Sequence, residues 1–248
     1  MNEINITWES FKNEITSLDD SWVYRGQSDS GWKLETSLER YNSDPIIEQK
    51  LLDDFKKGFG LFNGIEIKYD LDYYAYMQHH GVPTKLLDFT HSPYVASYFA
   101  FEPNQTEEVS IYALNYKLIN EYFKDEFNSK IVNSLSKSSY FQTIDELFRG
   151  NHWCLYFVSQ FHTFDRQFTQ QSIFLANCSY NHKTYELVNY CTSNINEETI
   201  RIYKLNGKER SKALMDLEKM NINGNSLFPG LDGFCRQIKI KNSINNGT

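Results

Sequence analysis

Apolar residues recur at helical spacing through residues 8–18, "WESFKNEITSL", where Trp8, Phe11, Ile15 and Leu18 fall on one side. The pattern then changes period. "SWVYRGQ" (21–27) predicts a short strand ended by Gly26. Residues 46–59, following Pro45, predict an amphipathic helix with Ile47, Leu51, Leu52 and Phe55 together. "LDYYAYMQHHG" (71–81) predicts another helix, stopped at Gly81 with Pro83 just beyond. A further helix should start where Ser92 can cap and Pro93 suits the first helical position, with Ala96 and Ala100 permitting close packing.

Strand-like runs follow at 108–115, 153–159, 170–178 and 199–205, with helical signals at 186–192 and 208–220. Strands and helices mix without a regular βαβ alternation. That predicts an α+β fold with a mixed, mainly antiparallel sheet core and flanking helices, in one domain spanning residues 1–248. The Asn/Ser-rich stretch 125–140 reads as an inserted mobile section and residues 241–248 as a frayed tail.

Bulk composition narrows the classes. An apolar share of 40% over 248 residues suffices for a core, and 17 Tyr with 18 Phe should make its packing aromatic. The net charge of −7 argues against a general nucleic-acid surface, which needs clustered Lys and Arg. No membrane span or signal-peptide order appears, so a cytoplasmic location is expected. Cys154, Cys178, Cys191 and Cys235 are far apart and predict buried free thiols. P-loop, G-x-S-x-G, G-x-G-x-x-G and kinase signatures are absent.

Three stretches are dense in groups able to do chemistry. Arg25, followed by Gly26, reads either as a surface arginine at a strand end or as a guanidinium fork aimed at a pyrophosphate or carboxylate, with the glycine permitting close approach. Gln78, His79 and His80 precede a Gly-Val-Pro-Thr turn ending at Thr84. "KLLDFT" then places Lys85, Asp88 and Thr90 on a strand expected to be buried. Asp88 there is either an acceptor for backbone amides or neighbouring histidines, or a functional acid. His79 and His80 are adjacent rather than four apart, so no metal is expected, and His80 reads as a hydrogen-bonding group at a pocket rim. Arg166, Gln170 and Gln171 precede the 170–178 run. The glutamines are either an exposed strand start or amides placed for a ribose or base edge.

Together these segments resemble the FRG domain family, named for a Phe/Tyr-Arg-Gly motif. The matching stretches are Tyr24-Arg25-Gly26-Gln27, "QHHGVPTKLLDFTHSPYVASYFA" (78–100), "RQFTQQSIF" (166–174) and "SLFPGLDG" (226–233). Lys85 stands where the family commonly has Arg, and Ser172 where Gly often follows the glutamines. An arginine-glycine strand end followed by a Ser/Thr strand and an "A-x-x-F-A" helix is also similar to the ADP-ribosyltransferase core. That resemblance implies an NAD-binding enzyme that transfers ADP-ribose to a macromolecular acceptor, as a toxin or phage-defence effector with an antitoxin or defence-system partner. By position in that core Arg25 would grip NAD and Thr90 and Ser92 would sit at the second strand; with the residue readings and FRG segments above, the candidate nucleotide contacts are Tyr24, Arg25, Gly26, Gln27, His79, His80, Thr84, Thr90, Ser92, Arg166 and Gln170. The ADP-ribosyltransferase resemblance also implies a late-strand catalytic Glu, where this chain has Gln170 and Gln171, and a glutamine is no carboxylate base. Asp88 and Glu186 are therefore the candidate acids, beside Gln171 at the expected position. A non-catalytic nucleotide or modified-base sensor and a nuclease or nucleic-acid-processing domain are the competing readings.

Overall fold

A computed structural model describes residues 2–42, 44–62, 67–103, 106–127, 140–159 and 168–245. The strands are β1 (Asn2–Asn5), β2 (Trp22–Gln27), β3 (Leu86–Thr90), β4 (Glu108–Asn115), β5 (Leu155–Val158), β6 (Ser172–Asn177) and β7 (Ile200–Asn206). They form one seven-stranded sheet in the order β1-β7-β4-β2-β3-β6-β5. Among the described residues only β1 runs parallel to its neighbour, β7; the other ladders are antiparallel. The α+β class and the mainly antiparallel sheet expected from the pattern are thus what the chain adopts.

The helices are α1 (Trp8–Glu14), α2 (Ser37–Tyr41), α3 (Pro45–Phe62), α4 (Asp70–His79), α5 (Pro93–Phe101), α6 (Tyr116–Phe127), α7 (Tyr140–Arg149), α8 (Thr184–Asn194), α9 (Arg210–Lys219), α10 (Gly224–Leu227) and α11 (Leu231–Asn245). Two apolar clusters sandwich the sheet. One joins Val23, Leu87 and Phe89 to Leu71, Tyr74 and Met77 of α4 and to Ile144 and Phe148 of α7. The other joins Trp22 and Tyr24 to Trp8 and Phe11 of α1, to Val95, Ala96 and Phe101 of α5, and to Leu214 and Leu217 of α9. Alternate residues of β2 enter different clusters, as a period of two requires.

Local signals set several element ends. Ser92 Oγ accepts the Val95 amide, capping α5 with Pro93 in its first turn. Gly81 takes φ +80° just beyond α4, a left-handed residue that releases the chain from the helix. The last helix continues to Asn245, past the point where the tail was expected to fray, while 246–248 lie outside the described residues. Most of the 125–140 stretch also lies outside them; its two ends belong to α6 and α7.

Two burial expectations are corrected. Cys154, Cys178 and Cys191 are buried free thiols, but Cys235 is exposed on α11. Lys85 stands just before β3 and not on it, and is buried, its Nζ 2.9 Å from Glu48 and also donating to the Phe148 carbonyl, whereas Asp88 on the strand is exposed. The reason lies in the sheet. β3 is fully paired with β6, yet it meets β2 at a single register position, Tyr24 opposite Thr90. No register pair joins β2 and β3 beyond that point, and Asp88 lines the cavity there.

Candidate functional site

The splayed seam between β2 and β3 is the base of a cavity of about 480 Å³, a size within the roughly 300–1,000 Å³ usual for small-molecule sites. β2 supplies Tyr24, Arg25, Gly26 and Gln27; β3 supplies Asp88, Phe89 and Thr90. Helix α4 brings Ala75, Gln78 and His79, and α5 brings Ala96 and Phe99, with Glu102 just after it. Gln170, Ser172 and Phe174 close one side, and Ser28 and Trp32 stand in the loop that follows β2.

Arg25 is partly buried and spans the seam. Its Nη1 donates to the Asp88 carbonyl at 2.7 Å. Nε is buried without a hydrogen-bond partner, and Nη2 has none among the described residues. Burial pulls the guanidinium pKa down from its ordinary value while the Asp88 charge opposes that shift, but an arginine stays protonated in either case. The side chain is a held cation with donors to spare.

Asp88 is the matching anion. One carboxylate oxygen, Oδ2, accepts Gln78 Nε2 at 2.8 Å, and Oδ1 makes no hydrogen bond among the described residues. Gln78 is fixed in turn, because Thr84 Oγ1 donates to its Oε1. Thr84 therefore acts one step behind the cavity, orienting the glutamine that orients the acid. Asp88 and Arg25 face the same opening without forming an ion pair with each other. Glu102 also lines the cavity, but Arg236 holds it at 2.7 Å.

The remaining sequence candidates divide by geometry. Gln27 is buried, its Nε2 donating to the Lys33 carbonyl at 3.3 Å and its Oε1 left unpartnered. Thr90 Oγ1 donates to the Gln170 carbonyl at 2.7 Å and accepts the Ser92 amide at 3.0 Å, so it ties β3 to both flanking segments. Ser92 serves as the α5 cap and does not line the cavity. Gln170 reaches the cavity, but its Nε2 is committed to the Leu227 carbonyl at 3.0 Å. Gln171 is exposed at φ 49°, a turn residue ahead of β6.

His79 lines the cavity, whereas His80 caps the end of α4 outside it, with the two rings edge to face at 4.9 Å. The expectation that His80 shares the cleft with Arg25 is corrected: helix phase turns its neighbour inward instead. Glu186 stands in the first turn of α8, where its side chain accepts the Lys183 amide at 3.0 Å. It is a helix-capping acid and not among the cavity residues. Arg166 lies outside the described residues. No group of three or more His, Cys, Asp or Glu suited to a metal ion occurs among the described residues.

Gly26 has a role that differs from the sequence reading. A Cβ there would lie 1.9 Å from the Ala96 carbonyl oxygen and 2.8 Å from the Ala100 amide nitrogen. The missing side chain makes room for α5, while the Gly26 backbone lines the cavity. Residues that periodicity did not single out are Trp32, Phe99 and Glu102. Trp32 follows a Ser-Asp-Ser-Gly turn, a signal for a tight loop but not for where that loop sits.

No helix among the described residues is long and apolar enough to cross a membrane. No curated protein and no solved structure matches the chain. Residues 20–109, which hold β2, β3, α4, α5 and the start of β4, match the FRG domain, and both the Arg25 strand and the Gln78–Asp88 pair fall inside that span. The chain carries an FRG domain at residues 20–109, and the cation and acid of the seam belong to it.

Proposed function

We propose that the seam binds a nucleotide of the NAD type and that the protein transfers its ADP-ribose to a macromolecular acceptor. The observation that carries this reading is the juxtaposition of Arg25, with unused donors, and Asp88, with an unused carboxylate oxygen, across one splayed strand pair. A fork of N–H donors suits a phosphate, and a carboxylate oxygen suits a ribose hydroxyl and the positive charge that grows on the ribose as a glycosidic bond breaks. In that step the bond from ribose C1′ to the nicotinamide nitrogen breaks and nicotinamide leaves with the electron pair. A nucleophile of the acceptor then bonds to C1′ and gives up its proton, for which Asp88 is the acid-base group on hand. Gln78 keeps that carboxylate aimed at the cavity. A cytoplasmic location, a toxin or phage-defence role and an antitoxin or defence-system partner belong to the same proposal.

A second reading is favoured by one observation. At the position where the ADP-ribosyltransferase resemblance expects a glutamate, Gln170 is bound to the Leu227 carbonyl and Gln171 points to solvent. A pocket with that arrangement would hold a nucleotide as a sensor without turning it over. Incubation with NAD labelled in the adenine ring separates the two. Transfer of label or release of nicotinamide marks the transferase, and Asp88→Asn should then lower turnover by on the order of 100-fold or more with NAD affinity nearly kept. Saturable binding without turnover marks the sensor. Full turnover by a folded Asp88→Asn protein removes Asp88 from the mechanism.

A further inference from the structure

The most solvent-exposed aromatic of the cavity is Trp32, 56% exposed although it is one of the largest apolar side chains in the protein. Three of the four tryptophans behave differently: Trp8 and Trp22 are buried, and Trp153 packs on Tyr190 at 4.4 Å between ring centres. The backbone carrying Trp32 is held on every side. Its amide donates to the Asp29 carbonyl at 3.2 Å, and its carbonyl accepts Tyr112 Oη at 3.2 Å. The Gly31 amide is bound by Asp29 Oδ1 at 2.8 Å, the Ser30 amide donates to the Glu108 carbonyl at 3.1 Å, and Gln27 reaches the Lys33 carbonyl. A fixed loop thus presents a bare indole beside the polar groups of the seam.

We propose that Trp32 is the specificity-determining residue of this cavity, and that it stacks on a planar heteroaromatic ring of the ligand. The inference rests on the nucleotide reading above and adds which part of the nucleotide is recognised by its ring. Exposing an indole forgoes a large burial gain, and a ring laid over it recovers that gain at low entropy cost because the loop is already ordered. The division of labour is then chemical. Arg25 and Asp88 take the charged and hydroxylated part of the ligand, and Trp32 takes its flat apolar face.

The test is calorimetric titration of the whole protein with ring-bearing probes (NAD, AMP and nicotinamide mononucleotide) and ring-free ones (ribose 5-phosphate and pyrophosphate), with thermal unfolding as the control for folding. Trp32→Ala should weaken at least one ring-bearing probe by roughly tenfold, the scale of a base–aromatic stack, and leave the ring-free probes unchanged. Trp32→Phe should recover part of the loss. Trp32 is exposed, so neither variant is expected to shift the melting temperature. Binding that survives Trp32→Ala unchanged for every ring-bearing probe, or an equal loss for ring-bearing and ring-free probes, overturns the assignment and leaves the nucleotide reading standing. Absence of saturable binding by every ring-bearing probe overturns both.

Discussion

At Arg25 the shape of the cation matters as much as its charge. A lysine ammonium could still donate to the Asp88 carbonyl, but it could not place the additional N–H groups that Nε and Nη2 hold unpaired in the seam. Arg25→Lys is therefore expected to weaken NAD binding by about 1–3 kcal/mol, with little change in melting temperature, as titration and a thermal melt on the same preparation would show. Unchanged affinity with a large fall in melting temperature would make the side chain a clasp between β2 and β3 instead. Asp88 differs from Arg25 in how it is held. Its orientation comes from the Gln78 amide, itself set by Thr84, so a change at Thr84 should act on the acid without touching the ligand.

Among the elements, the contact between α5 and β2 decides where the seam lies. Gly26 lets the helix backbone approach the strand directly, and the atoms in the way of a Cβ are backbone atoms of Ala96 and Ala100, which cannot rotate aside. Gly26→Ala must therefore push α5 off the sheet. A loss of about 1–3 kcal/mol or more is expected, measured by urea unfolding, and ligand binding should weaken with it because Ala96 and Phe99 of the same helix line the cavity. A variant as stable as the parent would mean that the helix can slide without cost. The α5 cap at Ser92 is a separate and smaller contribution, about 1 kcal/mol for loss of an N-cap.

Across the whole molecule, the N-terminal and C-terminal parts are joined by a carboxylate. Asp216 of α9 accepts Trp8 Nε1 of α1 at 3.0 Å and pairs with Lys12 Nζ at 3.0 Å. The Trp8 hydrogen bond first, and the Lys12 one next, hold its pKa at about 2, below the roughly 3.9 of an unfolded aspartate. The unfolded chain thus takes up a proton at higher pH than the folded one. The stabilisation is complete above about pH 4 and is lost as pH falls toward 2. Asp216→Asn should unfold more readily than the parent at pH 5, and the difference should shrink as the pH is lowered toward 2. A pH-independent difference between the two proteins would show that the charge of Asp216 adds nothing.

What the sequence determined by itself was local. Helical periods, the Ser92–Pro93 start, the Gly81 stop and the β-branched runs follow from sterics and burial within a few residues, and the α+β class follows from their mixture. Arg25, Asp88 and Thr90 were also legible as candidates, since they stand on short strands beside turns, but the sequence favoured His80 where the fold brings Gln78 and His79 to the cavity. Tertiary structure alone decided how they meet. The pairing of β2 with β3 joins residues more than sixty positions apart, and neither segment's own pattern says that it stops after Tyr24 and Thr90. That single event exposes Asp88, frees the donors of Arg25 and opens the cavity. The same limit explains the other departures. Glu186 and Ser92 look like site residues until the amides they cap are seen, and Gln170 looks free until Leu227, 57 positions away, takes its amide. Trp32 carries no periodic signal, because its role depends on which cavity a turn of the loop happens to overlook.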